Sequence, residues 1–486
     1  MVALLSIYYM IRLSLITNCC LIFLFLLSVG LFSCSNTDRA NNGEELKEIE
    51  IGKAIANREE VKLSDYASAI EYIPLENCSQ AQLSQIDYKS YPRPNGSMVP
   101  YYLMATGMNR DYDGFKKFLS SNNLLLFFYP NYDACSKQVC HVFDMNGKFV
   151  KKIEYDPSDA SLLGKYCNVC CNYVDDNKLY VVVNASDLKE RNKKERNKKE
   201  SKLLIYDITA GNLLNSLPFT GDNFIRVDSS SNFYKTVNDN VSYGHIVDAD
   251  FQTSDQVFIS REKETKRSLE NAKNARFAGV PMKVYTRSFV HKSGDGLVVL
   301  RESSDTINKI YFPDNKAASK PAYRVDFADT LSAVMRGIKL DIVNYAETES
   351  LIFMQIAENI DYPFGKELRL DKEFKKLHYY QRPTEDYNNQ IYSGKESVWH
   401  IVYNKVSGAA KSPEASNPLW MGGMANDIDG GAPFWPEIVD GKKMFQVVKA
   451  VDFIKLSEVY NSPKMKEVAS GLTTDSNPVV VVVTLK

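Results

Sequence analysis

The chain has 486 residues, 44% of them hydrophobic and 24% charged, which excludes intrinsic disorder and an ordinary bundle of membrane spans. Lys and Arg number 59 against 60 Asp and Glu, so no global field draws the chain to nucleic acid, and no such partner is expected. Twenty-nine Tyr and 24 Phe against 3 Trp suit strands and contact surfaces better than helices.

Residues 1–33 read as a processing signal. Arg12 is the one charge before the apolar run Leu13 to Phe32, which ends in Leu31-Phe32-Ser33-Cys34. A run of this length can span a bilayer, so a transmembrane anchor is the competing reading. The surroundings of Cys34 favour processing: a branched apolar residue three before it, a small residue next to it, and a polar segment after it. The arrangement resembles a bacterial lipoprotein signal peptide, although Phe32 is bulkier than that pattern usually has, and it implies acylation of Cys34 as the first mature residue. Met10, just before Arg12, is an alternative start. Several acyl chains on one cysteine, each burying CH₂ groups at about 0.8 kcal/mol, anchor a protein stably. The expected address is the cell envelope, as an outer-membrane lipoprotein on its periplasmic or surface face, with the membrane as a partner through the lipid. Residues 34–60 are polar, include Asn41-Asn42-Gly43 and are expected to form a flexible tether.

From Val61 to Lys486 short β-rich runs alternate with turn residues. Asn123 to Tyr129, Lys178 to Val183, Gly296 to Leu300, Ser350 to Gln355 and Pro478 to Thr484 are examples. Helical periodicity is confined to a short helix within Val451 to Val468. Ala69 to Leu75 and Pro478 to Leu485 are lone strands at the two ends of this region, and they suit one final blade built from both termini. Pairing as a mere terminal edge is the other reading.

A weak repeat selects the architecture. Val142-Phe143-Asp144-Met145-Asn146-Gly147-Lys148-Phe149-Val150 is a hairpin around an Asn-Gly turn, and Ile205 to Leu214 repeats its logic. Shorter versions lie at Leu368 to Phe374 and Val439 to Phe445, with looser ones at Asp250 and Asp314. Their Asp residues, 144, 207, 250, 314, 371 and 440, are spaced by 63, 43, 64, 57 and 69 residues. Six units of about four strands predict an all-β six-bladed β-propeller with four-stranded antiparallel blades, its ring closed by the N- and C-terminal strands. Some of these signals can be inner rather than outer hairpins. The twice-repeated Glu-Arg-Asn-Lys-Lys within Glu190 to Glu200 reads as a solvated loop extension.

Several segments resemble, in order, those of uncharacterised six-bladed β-propeller lipoproteins of Gram-negative gut-type anaerobes. They are Leu63-Ser64-Asp65 to Glu76, Phe143 to Ile153, Arg301 to Ile307 with Tyr323 to Phe327, Asn426 to Phe434, and Asp475 to Val482. The resemblance covers about Val61 to Lys486 and implies an exported propeller with no established catalytic activity. Tyr88 to Phe115 and Cys167 to Cys171 depart from it.

Six cysteines follow Cys34: Cys78, Cys135, Cys140, Cys167, Cys170 and Cys171. In an oxidising compartment they permit disulfides in fifteen connectivities, or buried free thiols. Cys135-x4-Cys140 with Cys167-x2-Cys170 offers four thiolates to zinc as the alternative. His141, His245, His291, His378 and His400 form no zinc-hydrolase spacing, and no nucleophile elbow or phosphate-cradling glycine loop occurs. No cofactor is expected. The candidate ligand-binding residues are Arg301, Glu302 and Asp305, where Arg would grip an anion, and Asn426, Asp427 and Asp429, which alternate oxygen ligands before Gly430-Gly431. That spacing allows a calcium loop, but Ile438 stands where its closing acid would be, so a tight polar turn is favoured. Trp399, Trp420 and Trp435, with Tyr91, Tyr101 and Tyr102, suit either blade interfaces or a sugar-stacking rim. The expected function is non-enzymatic binding or scaffolding of a glycan, peptide or envelope protein through one propeller face. The alternatives are a metal-dependent hydrolase or lyase on the propeller axis, and an assembly component of an envelope complex with a broad apolar face.

Overall fold

The structure, a computed structural model, describes residues 46–83, 118–128, 139–154, 165–175, 177–187, 200–219, 288–293, 296–301, 306–312, 316–326, 339–359, 398–414 and 423–486. It also describes shorter strand segments between these. Residues Lys47–Lys486 form one compact unit. Residues 1–45, with Cys34 and the leader, lie outside the described residues, as do most of Tyr88 to Phe115 and the basic tract 190–199.

The unit opens with β1 (Lys47–Glu50), α1 (Ile51–Ala56), a 3-10 turn at Leu63–Asp65 and β2 (Ala67–Pro74). The short pair β3 (Tyr91–Pro92) and β4 (Met98–Val99) follows. Three meanders come next: β5 (Phe118–Ser121), β6 (Leu124–Phe128), β7 (Val139–Asp144) and β8 (Phe149–Glu154); β9 (Lys165–Asp175), β10 (Lys178–Asp187), β11 (Glu200–Asp207) and β12 (Leu213–Pro218); β13 (Asn223–Arg226), β14 (Phe233–Thr236), β15 (Tyr243–Val247) and β16 (Thr253–Phe258). The small hairpin β17 (Arg276–Phe277) and β18 (Val280–Pro281) precedes a fourth meander of β19 (Ser288–Ser293), β20 (Gly296–Arg301), β21 (Thr306–Tyr311) and β22 (Ala318–Asp326). A fifth sheet holds β23 (Lys339–Glu347), β24 (Leu351–Asn359), β27 (Val398–Asn404) and β28 (Ala409–Lys411), interrupted by the hairpin β25 (Lys366–Leu370) and β26 (Leu377–Gln381). The chain ends with β29 (Ile438–Asp440), β30 (Lys443–Val448), α2 (Ala450–Val459), α3 (Pro463–Ser470) and β31 (Val479–Leu485).

The fold is an all-β propeller of four-stranded antiparallel sheets. The expectation of six four-stranded blades needs a correction. Five sheets have four strands, whereas the sheet of β19 to β22 has five, because β1 adds to β22 in parallel. The physical reason is that β22 would otherwise leave its outer hydrogen-bonding groups open, and the segment ahead of β2 covers them. The folded unit therefore reaches upstream into residues 47–60, which the sequence suggested as tether.

β2 and β31 pair antiparallel from Ala67 opposite Leu485 to Pro74 opposite Val479. β31 lies between β2 and β30, and Val479 to Val483 are buried, which is why this run is apolar on both faces. The cores lie between neighbouring sheets. One combines Val298, Ile307 and Val325 with Ile352, Ile356 and Ile401. Another joins Phe353 and Val402 to Trp435, Val479 and Val483.

The hairpin repeat is physical. Asp144 Oδ1 accepts from the N–H groups of Asn146 and Lys148, both at 2.9 Å, and Gly147 closes the turn at φ 79°. A Cβ on Gly147 would lie 2.3 Å from the carbonyl oxygen of Pro74, so that position is closed to any side chain. Asp207 repeats the device by accepting from Ala210 N–H at 2.7 Å. Asn404 does so at a turn the repeat missed, accepting from Val406 and Ser407 at 2.9 and 3.0 Å. The Leu368 to Phe374 signal instead falls on the inserted β25–β26 hairpin, and Asp440 on the inner β29–β30 turn.

The two ends of the sheets differ. Connections between first and second strands, and between third and fourth, never exceed six residues. The opposite ends carry the connections 75–117, 259–287, 360–397, 412–437 and 449–478.

Candidate functional site

Three of the residues singled out in the sequence lie in the connection from β28 to β29, and two of them, Asn426 and Asp429, are hydrogen-bonded to each other. Met424 pairs with Phe434 across it, with Met424 N donating to Phe434 O at 2.9 Å and the reverse bond at 3.0 Å. The polar loop Asn426 to Gly431 is thereby held as a lobe. Asp429 is its hub. Its Oδ1 accepts from Asn426 Nδ2 at 2.7 Å, Tyr72 Oη at 3.1 Å and Gly431 N at 3.1 Å. Its Oδ2 accepts from Ser462 Oγ at 2.6 Å.

Ser462 is also the N-cap of α3, where its Oγ accepts from Met465 N at 3.0 Å and Pro463 follows at the first helical position. One carboxylate thus links β2, the loop and the α2–α3 hairpin. Burial and the Asp429 charge push the Tyr72 hydroxyl well above its ordinary value, so Tyr72 stays a neutral donor. Phe453 of α2 packs edge-on against Tyr72 at 5.4 Å. Gly431 is enclosed: a Cβ there would lie 2.2 Å from Tyr72 Oη and 2.7 Å from Asn426 Nδ2.

Asp427 points elsewhere. Its Oδ1 accepts from Ser64 N at 2.9 Å and its Oδ2 from Ser64 Oγ at 2.6 Å. Burial raises the Asp427 carboxyl, but the Ser64 bonds outweigh it and hold the group below its ordinary value. The arrangement is that of a braced polar turn whose carboxylates already have protein donors. Arg301 closes β20, while Glu302 and Asp305 lie outside the described residues. Nothing described brings Arg301 to the Asn426 loop. No group of three or more His, Cys, Asp or Glu able to hold a metal occurs among the described residues.

Other buried polar groups carried no signal in the sequence. Glu347 and Lys405 form an ion pair under little exposure, with Tyr345 Oη donating to Glu347 Oε2 at 2.7 Å. Gln355 Nε2 meets His400 Nε2 at 3.1 Å, and Trp435 packs on His400 at 4.6 Å. Burial lowers His400 to about 4, so it is neutral, and burial likewise lowers His141 to about 4. Trp399 and Trp435 are core residues at 2% exposure each, which removes them from any sugar-stacking rim; Trp420, Tyr101 and Tyr102 lie outside the described residues. Cys78 and Cys140 are free thiols. Burial pushes the Cys140 thiol up, so it is an inert core group. Cys135 lies outside the described residues, and Cys167, Cys170 and Cys171 sit on β9.

No helix among the described residues is long and apolar enough to cross a membrane. No curated protein matches the sequence. Among solved structures, a "Putative exported protein" from Bacteroides fragilis aligns over 88% of this chain and 98% of its own, with 14% identity and a TM-score of 0.48. BamB from Moraxella catarrhalis aligns over 50% of this chain and 56% of its own at 12% identity and a TM-score of 0.25. Glutaminyl cyclase from Myxococcus xanthus covers 47% of this chain and 80% of its own at 10% identity and the same TM-score of 0.25. The sequence profile described as Domain of unknown function (DUF4933) matches residues 35–460, and the chain belongs to that family.

Proposed function

We propose that this protein is an exported envelope lipoprotein, acylated at Cys34, that presents one end of a propeller to a glycan, peptide or partner protein and catalyses no reaction. The observation that carries the binding reading is the one-sided distribution of connections. Turns at one end are six residues or fewer, and the other end holds every long connection. Surface segments free of packing constraints are where binding groups collect on a rigid scaffold. The Asn426 loop and the α2–α3 hairpin belong to that end, braced through Asp429. The carboxylates of Asp427 and Asp429 are committed to protein donors, which favours a positioning role over acid–base chemistry.

A closed ring is part of this reading. The pairing of β2 with β31 supports it, as do the first strands β29, β5, β9, β13, β19 and β23, which neighbour one another in succession, with β23 next to β29. The lipid reading rests on Leu31-Phe32-Ser33-Cys34 after the apolar run and on the polar segment that follows.

Two measurements test the proposal. Cys34→Ser should abolish labelling by a fatty-acid probe and release the protein from the membrane fraction; retention without labelling overturns the lipoprotein reading. The mature chain should bind a subset of a glycan and peptide array without turning it over. Triple replacement of Arg301, Glu302 and Asp305 by Ala should weaken that binding at least tenfold. Turnover of an array ligand overturns the non-enzymatic reading, and absence of binding overturns the glycan and peptide choices.

A further inference from the structure

The segment ahead of β2 does more than lead into the fold. β1 pairs in parallel with β22, Lys47 opposite Tyr323 through Glu50 opposite Asp326. Its one inward residue, Ile49, is fully buried. The chain turns directly into α1, whose Ile51, Ala54 and Ile55 enter the same core as Val298, Ile356 and Trp399. That core belongs to two sheets, the one ending in β22 and the one ending in β28. Lys47 Nζ reaches the carbonyl of Lys405, in the β27–β28 turn, at 3.5 Å.

The next residues continue along the neighbouring sheet and beyond it. Glu59 N donates to Ser412 O at 3.2 Å, and Glu414 N donates to Glu59 O at 2.9 Å. Lys411 pairs with Glu59 at 3.0 Å. Leu63 N donates to Ala425 O at 2.8 Å and Ala425 N to Val61 O at 2.7 Å. Ser64 then binds Asp427, and the chain enters β2 beside β31.

We infer that Lys47–Asp65 is a clasp: a continuous strap along the outer edges of the β19–β22 and β23–β28 sheets, which locks the seam between them and leads into β2. The juxtaposition is specific. Outer strands of sheets are open edges, and one covalent segment covers β22, follows β28 and its continuation, and leads into β2. α1 is six residues long without a side-chain cap, too short to be helical alone. Its structure depends on the seam it fills, so clasp and seam stand or fall together.

The test uses the full mature chain with Ile49→Ala and Ile55→Ala, read by hydrogen exchange resolved by segment. Both should quicken exchange of β1, of Tyr323 to Asp326 and of β27–β28 at least tenfold, while β6 and β7 change less than twofold. Lys53→Ala, at an exposed position, should change none of them. A more disruptive Ile49→Asp should expose residues 47–60 to protease with the β5–β8 meander still protected. Equal acceleration in all sheets, or no acceleration at the seam, overturns the clasp.

Discussion

The side-chain amide of Asn477 donates to the main-chain carbonyl of Ala81 at 2.6 Å, although the two residues stand at opposite ends of the folded chain. The same Nδ2 donates to Glu76 O at 2.6 Å, and Oδ1 accepts from Leu83 N at 2.6 Å. Asn477 N in turn donates to Asn77 Oδ1. One fully buried amide thus satisfies three backbone groups of the segment after β2.

Asn477→Leu keeps the branched outline of the side chain and removes all three bonds. Each orphaned buried backbone group costs about 1–3 kcal/mol, so the variant should lose at least about 3 kcal/mol in urea unfolding. A loss below 1 kcal/mol would show that water replaces the amide.

Truncation after Asn477 removes β31 from between β2 and β30. Two ladders would be left open and the cores around Phe353 and Phe445 exposed. The product should be insoluble, where the intact mature chain is soluble with structured near-UV circular dichroism. A soluble, cooperatively unfolding truncation would make β31 a dispensable edge.

Asp429→Ala should release the α2–α3 hairpin, because Ser462 loses its acceptor and Gly431 N–H loses its partner. The expected loss is about 2–4 kcal/mol, with hydrogen exchange quickening first in α3. Gly431→Ala should act in the same direction by displacing Tyr72. Unchanged exchange in α3 for both variants would refute the hub.

Stability should fall on acidification. His141 and His400 have folded values of about 4, below the unfolded value near 6.5. As pH drops from about 6.5 to about 4, the unfolded chain takes up protons that the folded one refuses, and stability declines until both states are protonated. His400→Gln should flatten part of that decline. The measurement is urea midpoint against pH for the variant and its parent; identical slopes would remove His400 from the account.

Deleting 190–199 should move the thermal midpoint by less than 2 °C, since it shortens the β10–β11 connection at small entropic gain. A larger loss would mean that the tract packs.

The sequence was most legible where local chemistry suffices. Asp144 with Gly147 and Asp207 with Gly211 announce their turns, and five consecutive valines announce a strand enclosed on both sides. The same chemistry misled at Leu368 to Phe374, because an inserted hairpin uses the same turn residues as a blade hairpin. At Asn404 to Gly408 the five-residue spacing of Asp207 to Gly211 carries Asn in place of the Asp that marks the repeat, so the turn is hidden from it. β1 and α1 were illegible because Ile49 and Ile55 acquire their meaning from Val325 and Trp399, far along the chain. Asp429 has the spacing of an ion ligand, but its oxygens accept from Tyr72 and Ser462, on a strand and a helix cap that its neighbours in sequence do not reveal.

The position of β2 beside β31 also bears on the order of synthesis. β1 and β2 leave the ribosome well before their partners, β1 before β22 and β2 before β31. Until β22 and β31 are made, β1 and β2 have no edge to join, so a chain interrupted before them carries unpaired strands. Chains released early are therefore marked for aggregation or proteolysis. The sheet that holds β2 can close only after every sheet between β2 and β31 along the chain has been synthesised.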